Sequence, residues 1–194
     1  MEMGKRFLDL YRLSKSLKGR IFSFIIAGSF ARYGKKSIIM PPLRLYGENR
    51  IEIGDHVLIG PYSWLHAFPS DGKYPVAISI GNGVAISGSC VLSATKTIIL
   101  ENDVLIGPNV CMVDHVHKFT NLHVAIKNQG IDKIAPIIIR RGAWIGQNVM
   151  ICPGVTVGIG SVVGANSVVN HDVPDYCLAV GSPAKIIKNF SISI

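Results

Sequence analysis

The side chains best suited to proton-transfer chemistry lie together at Asp114-His115-Val116-His117. A neutral imidazole takes a proton from a hydroxyl near neutral pH because its ordinary pKa lies there. His115 is therefore a candidate general base. Asp114 stands ready to orient or polarise its ring, although neighbouring side chains in an extended segment point apart, so adjacency alone does not bring them together. His117 falls on the same side as His115 if the segment is extended. The pair then also fits two metal ligands, with no third ligand fixed by spacing. His56, His66 and His123 read as polar loop or surface residues.

Other chemistries find less support. No Walker-type or dinucleotide-binding glycine loop is present, and the glycines read as corner residues tolerant of left-handed backbone angles. No Ser or Cys has the sequence context of an activated nucleophile, which favours direct transfer over a covalent intermediate. Cys90, Cys111, Cys152 and Cys177 show neither a CxxC motif nor tight pairing, and no signal-peptide pattern opens the chain. Reduced thiols in a cytoplasmic protein are expected.

A frame must hold these residues, and composition narrows its type. In 194 residues there are 27 Ile and 18 Val against 13 Leu, an excess of β-branched side chains that suits pleated, half-buried surfaces. Hydrophobic residues make up 48% and charged residues 16%, too apolar a balance for disorder. No uninterrupted apolar run approaches the roughly 20 residues of a membrane-spanning helix. The formal charge is +8, of which residues 1–36 carry nine basic and two acidic side chains, a local +7. The remainder is nearly neutral, which argues against nucleic acid as a partner, since tracking a phosphate backbone needs cations spread over the folded body.

Aliphatic residues recur every six positions at Ile53, Ile59, Leu65; Ile80, Ile86, Leu92; Leu100, Ile106, Met112; and Ile139, Ile145, Ile151, Val157, Val163, Val169. A second small or aliphatic position follows many of them by four, as at Val84, Val104 and Val149. Short strands alternating with turns rich in Gly, Asn and Asp satisfy this period, which predicts an all-β solenoid of hexapeptide repeats. Three interruptions break the register, with excesses over six of 9, 2 and 21 residues, each after three repeats. If three hexapeptides make one triangular coil, the fifteen positions form about five coils with all insertions at one corner. Loops stacked along one edge are where a site is expected.

The pattern resembles the hexapeptide-repeat acyltransferase superfamily, a group of left-handed parallel β-helices, and within it the sugar O-acetyltransferase branch. The resemblance covers about residues 50–188 and rests on Ile106-Gly107-Pro108-Asn109-Val110, Val113-Asp114-His115-Val116-His117, Trp144-Ile145-Gly146, Pro153-Gly154-Val155-Thr156-Val157-Gly158 and Gly181-Ser182-Pro183-Ala184-Lys185. It implies acetyl-CoA as acyl donor, a sugar hydroxyl of a polysaccharide or glycan precursor as acceptor, and a homotrimer with sites between neighbouring rods. In this role His115 removes the acceptor proton and returns it to the departing CoA sulfur. The resemblance assigns donor contacts to Gly146, Gln147, Ala165, Asn170, His171, Lys185 and Lys188, the lysines approaching CoA phosphates. It places Ser87, Ser89 and His117 on the acceptor side, where galactoside acetyltransferases carry Asn residues in the preceding coil. N-acetylation of an amino sugar or acetylation of serine are the nearest alternatives. A zinc lyase of the γ-carbonic anhydrase type is a more distant one, and the Lys185/Lys188 tail is unnecessary for its chemistry.

The expected organisation is a basic amphipathic segment over 1–36, a β-helix domain over 37–188 with a loop insertion over 113–138, and a tail over 189–194. Leu10, Leu13, Leu17, Ile21, Phe24 and Ile25 recur at three-to-four spacing, with Arg12, Lys15, Lys18 and Arg20 largely on other faces, the pattern of an amphipathic helix. Such a helix can cover the open end of the solenoid, whose strand edge needs protection. It can also contact an anionic membrane surface, which would put the protein peripherally at the inner face of the membrane.

Overall fold

The computed structural model describes residues 2–69 and 72–190. Its body is a left-handed parallel β-helix whose coils each carry three short strands, one per face. The stacked strands form three parallel sheets, with one antiparallel strand added at the C-terminal end. The hexapeptide positions superpose coil on coil. On the first face the column runs Tyr33, Ile53, Ile80, Leu100, Ile139, Val157, each in register with the next. Ile53, Ile80, Ile139 and Val157 have no exposed surface, so the repeat aliphatics are the core. Six residues per face fit because two inward side chains fill the interior while intervening ones point out.

Five coils account for the fifteen repeat positions, and a sixth precedes them. Strands Arg32–Tyr33, Ile38–Ile39 and Arg44–Tyr46 continue the three sheets. The β-helix thus begins inside the segment 1–36. Tyr33, Ile39 and Leu45 keep the six-residue spacing, but Pro41-Pro42 and the half-buried Tyr33 and Leu45 disguise the pattern. The step from Leu45 to Ile53 adds two residues at the same corner as the other insertions. At the far end Cys177–Gly181 forms a seventh strand on the second face, and Ala184–Asn189 returns antiparallel beside it. Of the tail, Phe190 donates its N–H to Tyr176 O at 2.7 Å, and residues 191–194 lie outside the described residues.

The corners are close-packed turns. Asn109, Asn148 and Asn166 adopt positive φ on the edge between second and third faces, and their side chains form a ladder, Asn109 Nδ2 to Asn148 Oδ1 and Asn148 Nδ2 to Asn166 Oδ1, each 3.0 Å. Asparagine tolerates this conformation better than most side chains. At Gly146, on the same edge, an added Cβ would stand 2.7 Å from Ala165 N, so the coils stack too closely there for any side chain.

Helix α1 spans Glu2–Ile26. It meets the rod only through its C-terminal third, where Gly19 and Ser23 are buried and Phe22 and Ile26 half-buried. Ser23 Oγ accepts the Ile39 N–H at 2.7 Å and donates to Gly19 O at 2.7 Å. The edge of the first coil is covered in this way, although not by the apolar stripe: Leu10, Leu13, Leu17, Ile21, Phe24 and Ile25 are all exposed.

Candidate active site

The longest insertion leaves the third face at Val113, the end of strand Cys111–Val113. Asp114 turns into the corner and is fully buried. Its carboxylate accepts the Thr95 N–H at 2.8 Å on Oδ1 and the Lys96 N–H at 2.6 Å on Oδ2. Those amides belong to the corner one coil below, where the two-residue excess occurs. That small insertion makes the cradle that fixes Asp114. The far foot of the loop returns to the same point, with Ala135 N donating to Asp114 O at 2.9 Å.

His115 Nδ1 lies 2.9 Å from Asp114 Oδ1 and 3.3 Å from Thr95 Oγ1. The expectation that neighbouring side chains diverge fails here because the strand has ended and the chain bends at Asp114. A carboxylate can only accept, so the Asp114 contact puts the ring proton on Nδ1 and leaves the Nε2 lone pair free to accept a proton. His115 is 8% exposed, buried except for a small accessible patch. Its ring meets Phe68 edge to face, centroids 5.0 Å apart.

Phe68 begins the first insertion, two coils below, and continues outward into a row of rings on the third face. His66 lies 4.1 Å from Phe68, Trp64 stacks on His66 at 5.4 Å, and Tyr46 meets His66 edge-on at 5.6 Å. The Arg44 guanidinium covers the Trp64 ring at 4.6 Å. Burial, with a smaller contribution from His115, holds the His66 pKa below its ordinary value. Sequence spacing concealed Phe68 and Thr95, which stand far from His115 along the chain. The recurrence of excess residues at one corner was the signal that could have found them.

The inserted loop is organised rather than open. Val116–His117 pairs antiparallel with Ile131–Asp132, and the Gln129 side chain binds Asn121 N, Asn121 O and Val124 O. His117 is exposed on this hairpin. Among the described residues no group of three or more His, Cys, Asp or Glu is arranged to hold a metal ion. Burial raises the thiol pKa values of Cys90, Cys111 and Cys152, the reverse of nucleophile activation.

A separate groove of about 530 Å³ follows the edge between second and third faces. Gly146, Gln147, Ala165 and Ser87 line it, with Leu105, Trp144 and Leu178 from the second face. Lys185 and Lys188 pair across the terminal hairpin with Val180 and Leu178, which places both exposed lysines on the groove side of the second sheet. Ser87 thus joins the expected donor residues rather than His115, while Ser89 is an exposed turn residue beside it. Asn170 and His171, 2.7 Å apart through Oδ1 and Nδ1, follow strand Val168–Val169 on the edge that carries His115, two coils further on. Within one chain, His115 and the groove occupy different edges.

No family profile matches the chain. A hexapeptide-repeat-containing acetyltransferase of Vibrio cholerae superposes with a TM-score of 0.60 at 31% identity, covering 84% of this chain and 75% of that one. The chain belongs to the hexapeptide-repeat acetyltransferases. The same Vibrio protein solved with acetyl coenzyme A gives a TM-score of 0.64 at 29% identity, over 89% of this chain and 78% of that one. A maltose O-acetyltransferase of Clostridium difficile gives 0.58 at 26% identity, over 87% and 74%. A Schizosaccharomyces pombe protein provisionally named an acetyltransferase is 39% identical over 120 residues, 62% of this chain and 56% of its own. The chain spans about half the length of the curated relatives it matches.

Proposed function

We propose that this hexapeptide-repeat protein transfers the acetyl group of acetyl-CoA to a sugar hydroxyl of a polysaccharide or glycan precursor. The observation that carries this reading is His115, fixed by the buried Asp114 with Nε2 left to accept a proton. His115 Nε2 takes the acceptor hydroxyl proton as that oxygen attacks the thioester carbonyl. The tetrahedral intermediate expels the CoA thiolate, which recovers the proton from the imidazolium. The products are an acetyl ester and free CoA, and the histidine is regenerated. Asp114 stabilises the transient positive charge on the ring.

The donor reading is supported by the acetyl coenzyme A bound to the Vibrio relative, and by a groove whose adjoining strand carries Lys185 and Lys188. The acceptor reading draws on the sugar named for the Clostridium relative and on Phe68 and His66 beside the base, since aromatic rings suit the apolar faces of pyranoses. A homotrimer is part of the same proposal. Rods meeting edge to edge would set His115 of one copy against the groove of the next, which a single chain does not do.

The test is release of CoA thiol from acetyl-CoA in the presence of maltose, simple glycosides and nucleotide-linked sugars, with mass analysis of the acceptor. A gain of one acetyl group on a sugar oxygen is expected. Absence of transfer to every sugar, with acetylation of an amine instead, would overturn the acceptor class.

A further inference from the structure

Helix α1 has two faces, and the rod uses only one. The docked face consists of Gly19, Phe22, Ser23 and Ile26. Gly19 lets the helix sit close, because an added Cβ would push aside the Met40 thioether and lie 3.2 Å from Ile38 Cγ2. The opposite face carries Met3, Phe7, Leu10, Leu17, Ile21 and Phe24, alternating in steps of three and four except where Ser14 interrupts. Every one is at least half exposed, from 52% at Ile21 to 86% at Phe24. At about 1.5 Å per residue, this stripe runs for about 32 Å. No apolar partner within the chain covers it among the described residues.

Charge decides between two occupants. In a bundle of such helices from several copies, the positions flanking the stripe would face each other. They include Arg6, Lys18 and Arg20, of which only Arg6 has an acidic neighbour, so self-association would set Lys18 and Arg20 of each copy against cations. The two acids of the helix, Glu2 and Asp9, are engaged by Arg6 and Arg12 at 3.2 Å. Leu13 and Ile25 widen the stripe beyond a narrow coiled-coil seam. A broad apolar face with basic margins is the form that lies in the plane of an anionic bilayer. Beside Phe24, a cleft of about 530 Å³ between helix and first coil is lined by Arg20, Lys36 and Tyr33, extending the basic margin onto the rod. No described helix is long and apolar enough to cross a membrane.

We infer that α1 docks the protein onto an anionic lipid surface, with the Met3 to Phe24 stripe among the acyl chains and the rod held outside by Gly19 and Ser23. This stands independently of the acetyl-transfer reading. The intact protein is sedimented with vesicles of phosphatidylcholine alone and of phosphatidylcholine with phosphatidylglycerol. Recovery with the anionic vesicles should exceed that with the neutral ones at least tenfold and fall as salt is raised. Leu10→Glu with Leu17→Glu should abolish sedimentation while leaving the melting temperature unchanged, since both side chains are exposed and remote from the docked face. Intact protein that stays in the supernatant would overturn the inference. So would a Glu variant that binds vesicles like wild type, or one that fails to bind but also drops to a smaller assembly in analytical ultracentrifugation, the result expected if the stripe joins copies of the chain.

Discussion

Asp114 and His115 are consecutive in the chain, yet their side chains meet at 2.9 Å, because the carboxylate is held from below by the Thr95 and Lys96 amides. The imidazole is therefore oriented by the backbone of a neighbouring coil. His115→Ala should lower kcat by about 10²–10⁴-fold with acetyl-CoA affinity near wild type. Asp114→Asn should cost on the order of 10²-fold or more, because an amide cannot serve all three donors and disfavours the Nδ1–H tautomer. Activity assays paired with acetyl-CoA binding by calorimetry check both; an active His115→Ala protein would end the general-base assignment.

His66 supplies a pH dependence of stability. Its pKa is depressed in the folded protein, chiefly by burial, so the unfolded chain binds the proton more readily. The contribution of neutral His66 is complete above the ordinary histidine pKa of about 6.5 and is lost as pH falls toward the lower folded value. His66→Gln should therefore flatten the fall in melting temperature between about pH 7 and 5.5. Parallel melting curves for the two proteins across that range would exclude His66 as the source.

Ser23 closes the edge of the first coil by accepting the Ile39 N–H. Ser23→Ala leaves that buried donor without a partner, at a cost of about 1–3 kcal/mol. For a chain of this size, each kcal/mol lowers the melting temperature by about 2–4 °C. Thermal melts should show the loss, with kcat unchanged because the helix is remote from His115. An unaltered melting temperature would mean that water replaces the hydroxyl.

How much of this was legible in the sequence follows from what carries each feature. The solenoid and its decorated edge were readable because a close-packed interior repeats the same residue class every six positions. His115 was readable because it opens the largest break in that repeat. The first coil was concealed by Pro41-Pro42 and the half-buried Tyr33 and Leu45, which satisfy the geometry without matching the consensus. The docked face of α1 leaves no mark in the apolar periodicity, because Gly19 and Ser23 contribute contact and hydrogen bonding rather than hydrophobicity. Phe68 and Thr95 meet His115 only after coils stack, a register that local spacing does not express.

Lys185 and Lys188 flank the groove on exposed strand positions. Replacing both with Ala should raise KM for acetyl-CoA severalfold and leave kcat at saturation nearly unchanged, because contacts to a remote phosphate stabilise ground and transition states alike. The difference from wild type should shrink at high salt, since exposed charges are screened over about 8–10 Å. Steady-state kinetics at two ionic strengths check this, and an unchanged KM at low salt removes the lysines from the donor site.

His115 and the Gly146–Ala165 groove lie on different edges of one rod, so a site that uses both must be completed by another copy. Two disabled chains test this. His115→Ala retains the groove, and Ala165→Trp retains the base while filling the groove that Ala165 lines. Each homo-oligomer should be inactive. In randomly mixed trimers with shared sites, about a quarter of the interfaces would join an intact base to an intact groove, restoring roughly that fraction of wild-type activity. Mixed trimers verified by mass and still inactive would instead place base and groove of each site on the same chain. Full activity in a species that sediments as a monomer would remove the need for a partner altogether.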